Sequence, residues 1–299
     1  MKQKQSLYKL DGKELYYPDF INALKNVDIK KGDTIFVHSS VSAFGKLSTF
    51  DTEFLLKTLI NSLKESVGDN GTLILPTFTY SFLKNEPYDK TNSKSKVGTL
   101  TEYFRKQPDV SRTVHPNHSV AIWGKHKSEL LKIGKDTFDN ASIFGKLHKL
   151  DGKIVFFGAP FQSCTYVHHI EQMHGVPYRY MKKIRGKIID SDKEYEDEFT
   201  FYVKYVVFFT QLSNLEKYLI EKKLLKEVKL GHGTISMVDA NVLFKEGQKL
   251  LDKDVFFFLK NEPKIFSIFN KISCFFLKNE PKILKNLNEF IERKFFQSD

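Results

Sequence analysis

Cysteine is scarce in this chain: Cys164 and Cys274 are the only two among 299 residues, and they form no C-x-x-C pair. Neither a disulfide framework nor a cysteine-based zinc site is indicated, and a reducing compartment fits. Long apolar runs are missing too. Residues 1–13 are charged and polar, without an apolar stretch of signal-peptide length. The aromatic-rich runs at 205–210 and 255–259 are far too short to span a bilayer. A soluble, cytoplasmic protein with no membrane partner is therefore expected. The chain has no G-x-S-x-G elbow, which disfavours a serine hydrolase of the α/β type. It has no Walker or G-x-G-x-x-G loop and no H-E-x-x-H helix, so no metal is expected.

What the chain has in excess is positive charge, +11 at neutral pH. Such an excess attracts polyanions by long-range field: nucleic acid, nucleotides, CoA phosphates or nucleotide-sugars. Solubility alone also accounts for a lysine-rich surface. The lysines are scattered rather than striped and no nucleic-acid module is visible, so a nucleic-acid partner is not expected. Hydrophobic residues make up 41%, enough for a real core.

Periodicity organises the chain as α/β. Short apolar runs at 34–37, 72–75, 119–123 and 154–158 read as buried strands. Between them, Phe54, Leu55, Leu59 and Leu63 recur at helical spacing behind Asp51, a natural N-cap. Segments 19–26 and 98–105 also read as helices. Alternation of this kind implies an α/β class with a largely parallel or mixed sheet. Residues 178–189 and 195–205 alternate polar and apolar positions around an acidic loop (Asp190, Asp192, Glu194), which reads as a projecting β-ribbon. Segments 216–227 and 240–250 read as helices, and 231–238 as a strand. The motif FFLKNEPKI occurs at 257–265 and again at 275–283, and FLKNEP also occurs at 82–87. Two tail copies are too few for a solenoid. The expected division is thus a domain over 1–250 and a helical appendage over 251–299, broken at Pro263 and Pro281.

Four segments carry chemistry. Thr165-Tyr-Val-His168-His-Ile-Glu171 follows the strand at 154–158 and a loop with Gly158, Pro160 and Ser163. At a helix start this spacing puts His168 and Glu171 on one face, three apart. A histidine there can take a proton, and a carboxylate one turn away can hold its tautomer. Free amides at the helix start could hold an oxyanion. An ordinary solvent-facing helix is the bland alternative, and H-x-x-E alone is a common pattern. The other three segments are His38-Ser39-Ser40, Thr77-Phe78-Thr79-Tyr80 after Pro76, and Arg112 to Ser119, which contains His115. Each lies at a strand end, where α/β ligand sites form. Cys164 beside the first segment is a minor alternative as a nucleophile; a small buried residue is its commoner role.

Taken in order, these residues resemble the aminoglycoside 3-N-acetyltransferase family, also called antibiotic N-acetyltransferases. The matching positions are Gly32-Asp33, His38-Ser39-Ser40, Gly45, Gly71-Thr72-Leu73, Pro76 to Thr79, Pro87-Tyr88-Asp89, Gly98, Phe104-Arg105, Arg112, His115-Pro116, Ser119, Gly124, Ser142, Gly145-Lys146-Leu147, Gly158, Thr165, His168, Glu171 and Asp239-Ala240. The resemblance spans roughly residues 15–250. It implies a single α/β domain around a mixed sheet and direct transfer of acetyl from acetyl-CoA to an amine, with CoA and a small-molecule acceptor as partners. Carried over, His168 is the base, Glu171 orients it and Thr165 completes the catalytic set. His38, Ser39, Ser40, Thr77 and Thr79 would line the CoA path. Asp89, Tyr80 and the ribbon would face the acceptor, with His115 and Ser119 buttressing its two sides. Such proteins often form dimers, so a homodimer is possible. Because the chain is basic, the expected acceptor is an anionic, nucleotide-linked amino sugar of a surface glycan, with an aminoglycoside as the alternative.

Overall fold

The structure is a computed structural model that describes residues 5–206 and 208–260. The chain opens on a hairpin, β1 (Tyr8–Leu10) and β2 (Lys13–Leu15), turned at Asp11-Gly12 with Gly12 at φ +77°. Asp-Gly between short alternating runs is a hairpin signal, and the sequence reading passed over it. Helix α1 (Tyr17–Asn26) leads into β3 (Thr34–Ser39), and the short β4 (Lys46–Leu47) returns to pair with β1. In α2 (Thr52–Val67) the Asp51 side chain accepts from the Phe54 amide, as the cap pattern requires. There follow β5 (Thr72–Pro76), β6 (Tyr88–Asp89), α3 (Thr99–Phe104), β7 (Ser111–Arg112), β8 (Val120–Gly124), α4 (Lys127–Leu130) and α5 (Ile143–Lys149). Then come β9 (Lys153–Phe157), α6 (Val167–His174), the ribbon β10 (Arg179–Asp190) and β11 (Lys193–Lys204), α7 (Ser213–Glu221), β12 (Lys226–Leu230), β13 (Gly233–Asp239) and α8 (Ala240–Lys253).

Seven strands form one mixed sheet in the order β12-β13-β9-β3-β5-β8-β7. The central three, β9, β3 and β5, run parallel, and the flanking pairs are antiparallel. The central strands are near-continuous apolar runs because both faces are covered. Phe36, Ile74, Ile154 and Phe156 face a core closed by α5, α6 and α8 through Phe144, Val167, Ile170 and Leu243. Their neighbours Ile35, Val37, Leu73, Val155 and Phe157 face the opposite core, closed by α1 and α2 through Phe20, Leu24, Leu59 and Leu63. Because β3, β5 and β9 are parallel, the loops leaving them gather at one edge of the sheet, where α/β folds place ligands.

The ribbon pairs in continuous register, from Arg179 opposite Lys204 to Asp190 opposite Lys193. It is docked by a parallel pairing of Ile188 with Tyr88 and of Ile189 with Asp89, over a small core of Phe82, Tyr88, Ile188, Phe199 and Phe201. One expected helix is shorter than its pattern. α7 stops at Glu221, Lys223 turns the chain at φ +56°, and Lys226–Leu230 becomes an edge strand on β13. The alternation K-E-V-K-L fits an edge strand better than the last turns of a helix. Of the expected appendage, α8 runs on to Lys253, and Phe258 is buried in the main core. The repeated motif lies outside the described residues from 261 onward. Among the described residues no helix is long and apolar enough to cross a membrane.

Candidate active site

The loops after β3, β5 and β9 enclose a cleft of about 300 Å³. His38, Ser39 and Ser40 form one wall, Pro76, Phe78 and Tyr80 a second, and Ala159, Pro160, Ser163 and Thr165 a third. Gly158 is what lets the third wall approach. Its φ is +76°, and a Cβ there would lie 2.5 Å from the Ser40 carbonyl oxygen. Tyr80 holds φ +58°, a costly conformation for a bulky residue, and on a cleft wall it marks a constrained position. Two buried polar atoms on this cleft have no partner, His38 Nε2 and Ser39 Oγ. The His38 ring stacks on Phe156, and burial drives its pKa down to about 3, so it is neutral. Unpaired buried polar groups cost free energy that a hydrogen-bonding ligand recovers.

Beside the cleft, α6 carries the His168–Glu171 pair. His168 Nδ1 lies 2.6 Å from Glu171 Oε2, as the three-residue spacing predicts. Glu171 has no solvent exposure, and its other oxygen accepts from the Tyr178 hydroxyl at 2.8 Å. Arg179 closes the group. Its Nε lies 2.8 Å from Glu171 Oε2, an ion pair off the line of a good hydrogen bond, and its Nη2 lies 2.9 Å from His168 Nδ1. Burial alone would raise the Glu171 carboxyl. The Arg179 and His168 charges and the hydrogen bonds from His168 and Tyr178 outweigh it and hold the carboxyl below its ordinary range. An ionised carboxylate 2.6 Å away requires the proton on Nδ1. The basic nitrogen is then Nε2. Burial, followed by the Arg179 charge, lowers the His168 pKa against the opposing pull of Glu171, so the ring is neutral at pH 7. Its side chain keeps 23% of its exposure, enough for a proton donor to reach it.

Several expected site residues stand elsewhere. The Thr77 and Ser119 hydroxyls are buried and serve the Arg112 guanidinium, whose Nε donates to both at 3.1 Å. Thr79 donates to the Pro116 carbonyl at 2.6 Å. His115 is buried and its Nδ1 accepts the His118 amide at 3.0 Å; burial takes its pKa to about 3. Asp89 caps its own turn, accepting from the amides of Thr91 and Asn92. None of these five lines the cleft. The structure gathers His38, Ser39, Ser40, Tyr80 and Thr165 on the cleft, with His168 and Glu171 on the adjoining helix.

The amides at the start of α6 are not free either. Those of Val167, His168 and His169 bond to the carbonyls of Cys164, Thr165 and Tyr166, because residues 165–166 already turn helically. Cys164 is buried, and burial pushes its thiol up to about 12, which suits a small packed residue better than a nucleophile. Sequence reasoning missed Tyr178 and Arg179. Both stand at the foot of the ribbon, and only the fold carries them to Glu171. Among the described residues no three His, Cys, Asp or Glu side chains converge as metal ligands would.

A family model described as Aminoglycoside 3-N-acetyltransferase matches residues 36–252. The chain is similar to the SPbeta prophage-derived aminoglycoside N(3')-acetyltransferase-like protein YokD of Bacillus subtilis (strain 168). The two are 28% identical over 200 residues, covering 59% of this chain and 71% of that protein. It is 25% identical over 249 residues to aminoglycoside N(3)-acetyltransferase IV of Salmonella sp, covering 81% of this chain and 89% of the relative. The crystal structure of aminoglycoside acetyltransferase AAC(3)-IVa, apoenzyme, superposes with a TM-score of 0.71 at 24% identity, over 88% of this chain and 95% of that one. AAC-IIIb, solved as a binary complex with CoASH, gives 0.70 at 21% identity, over 83% and 98%. These structures share the mixed-sheet α/β fold.

Proposed function

The chain belongs to the aminoglycoside 3-N-acetyltransferase family, and from that premise we propose that it moves acetyl from acetyl-CoA to an amine of an aminoglycoside, with His168 as the general base. The observation that carries this reading is the clamped imidazole. The Glu171 carboxylate, kept ionised by Arg179, fixes Nδ1 as the protonated nitrogen and leaves Nε2 to accept a proton. An amine at neutral pH is mostly an ammonium and cannot attack a thioester. The ammonium first gives one proton to solvent; the free amine nitrogen then bonds to the acyl carbon while neutral His168 takes its N–H proton, and the CoA thiolate leaves with that proton returned through the same imidazole. Glu171 stabilises the imidazolium formed on the way. In the cleft, His38 Nε2 and Ser39 Oγ are placed to bond the amide groups of the pantetheine arm, which suits the narrow volume.

The nucleotide-linked acceptor expected from net charge finds no support among the relatives, and the aminoglycoside reading takes its place. One observation still favours an anionic acceptor. Arg179 and Lys204 both bring positive charge to His168. The ribbon's carboxylates offer little to a polycation, because Glu194, Glu196 and Glu198 are each paired with a basic residue of the facing strand. The deciding experiment is thiol release from acetyl-CoA against aminoglycosides and nucleotide-linked amino sugars. Turnover with aminoglycosides supports the proposal, and turnover with nucleotide-sugars alone replaces its acceptor. The His168→Ala variant is expected to bind CoA normally and to lose about 10²–10⁴-fold in rate. Full activity in that variant refutes the base assignment.

A further inference from the structure

The amides of Val167, His168 and His169 are engaged within the turn, and one side chain stands between the cleft walls and the His168 ring. The His118 ring packs edge-on against Phe78 at 4.8 Å and Tyr80 at 5.7 Å, both cleft walls. On its other side it packs against Phe138 at 5.2 Å, and Phe138 packs against the His168 ring at 5.4 Å. No hydrogen bond within the described residues engages the ring, and its Nδ1 is sealed from solvent without a partner. The residue as a whole is only half-buried, and Nε2 is not among the sealed, unpartnered atoms.

The surroundings hold this ring rigidly. The His118 amide is fixed on His115 Nδ1. The Asn117 carbonyl accepts the Thr79 and Tyr80 amides, the Pro116 carbonyl accepts the Thr79 hydroxyl and the Ser81 amide, and Asn117 Oδ1 accepts the Phe82 amide. Segment 115–119 is thereby stapled to the exit of β5. Thr79 and His115, which do not line the cleft, thus position a ring packed against two of its walls. Burial first, with the Arg179 charge adding to it, keeps His118 well below the ordinary histidine pKa, so it stays a neutral imidazole. A neutral imidazole donates from one nitrogen. With Nδ1 sealed among rings and Nε2 not, the donor is Nε2–H.

We propose that His118 Nε2–H donates to the thioester carbonyl oxygen of the bound acyl-CoA and carries the charge of the tetrahedral oxyanion, an inference that rests on the acetyl-transfer reading above. As the amine nitrogen forms the C–N bond, the carbonyl π pair moves onto oxygen facing His118, and the amine proton goes to His168 Nε2. Collapse restores C=O and breaks the C–S bond, and the departing thiolate sulfur takes the proton from His168. His118 keeps its proton throughout. Neutrality suits the role, because an imidazolium here would push the His168 pKa still lower. Donors preorganised at the oxyanion are worth about 10²–10³-fold in rate each.

The test combines kinetics with isotope-edited infrared spectra of [1-¹³C]acetyl-CoA. In the native chain the bound thioester carbonyl stretch is expected below that of free acetyl-CoA. His118→Phe keeps the aromatic packing and is expected to return the stretch toward the free value. It should lower kcat about 100-fold with KM for acetyl-CoA little changed. His118→Gln, which restores an N–H donor, is expected to recover part of both. A native carbonyl stretch equal to that of free acetyl-CoA overturns the inference, even if the Phe variant does not fold. So does an unshifted stretch and rate in a folded Phe variant. Native protein that neither binds acetyl-CoA nor acetylates any amine sinks the acetyl-transfer reading itself, a result distinct from either.

Discussion

Glu171→Gln keeps the shape of the site and removes one charge from a side chain with no solvent exposure. In the resting site the carboxylate holds the Nδ1 proton of His168 at 2.6 Å, and in the transition state it faces an imidazolium at that same distance. Unit charges about 4 Å apart interact by roughly 4 kcal/mol at an effective dielectric constant near 20. A charge-assisted hydrogen bond is worth about 1.5–3 kcal/mol net. A loss of about 2–4 kcal/mol corresponds to roughly 30- to 1,000-fold in kcat/KM. The pH profile gives an independent sign. Glu171 raises the His168 pKa against burial and Arg179, which lower it. Without the carboxylate only the lowering influences remain, so the acid limb of kcat/KM moves to lower pH while the plateau falls. The assay is thiol release across pH with saturating acceptor. An unchanged plateau, or an acid limb that moves up, refutes the reasoning. Stability should fall as well. Arg179 is left buried without its carboxylate, a loss of about 3–5 kcal/mol, visible as a thermal midpoint lower by on the order of 10 °C. Adding Arg179→Met to Glu171→Gln removes the stranded charge and should restore most of the midpoint but none of the rate.

His38→Phe fills the same space against Phe156 without an unpartnered nitrogen, so it should stabilise the fold by about 1 kcal/mol and weaken acetyl-CoA binding in a titration; tighter or unchanged binding would remove His38 from the donor path. Its pH signature follows from linkage. The folded pKa of about 3 lies below the unfolded value, so below about pH 6.5 the unfolded chain takes up a proton that the folded chain does not, and stability falls as pH falls. The Phe variant should therefore lose about 2 kcal/mol less than the native chain between pH 6.5 and 5 in urea unfolding. Gly158→Ala forces a Cβ to 2.5 Å from the Ser40 carbonyl at φ +76°. It should cost about 1–3 kcal/mol and raise KM for acetyl-CoA, and an Ala variant with native KM would show that the third wall does not shape the donor path.

The central strands were legible because burial on both faces leaves short apolar runs bounded by turn residues, and α2 because Asp51 announces its start. The β12 edge strand was not, since K-E-V-K-L follows directly on a Lys/Glu-rich helix with no proline or glycine to separate them. In the site, His38, Ser39 and Ser40 were legible from their place at a strand exit. Thr77, Thr79 and Ser119 share the same local pattern, yet their hydroxyls turn inward to Arg112 and Pro116. A hydroxyl at a strand end has two directions to face, and the sequence pattern is the same for both.

His168 and Glu171 show how far a local motif reaches. Spacing of three places the pair on one face of α6, but spacing does not set the charge of a carboxylate with no exposure. Left alone in that environment Glu171 would rise toward neutrality, and a protonated acid would neither fix the Nδ1 tautomer nor stabilise an imidazolium. Arg179 keeps it ionised, and Tyr178 satisfies its second oxygen. Both lie seven or eight residues beyond Glu171, past the end of α6 at Gly175 and at the root of the ribbon, where the return of β11 places the Tyr202 carbonyl to hold the guanidinium at 3.1 Å. The ribbon therefore does more than project from the fold. Its foot supplies the charge that the H-x-x-E pair needs for the proposed role, and a chain that kept His168 and Glu171 but lost Arg179 would keep the motif without that charge.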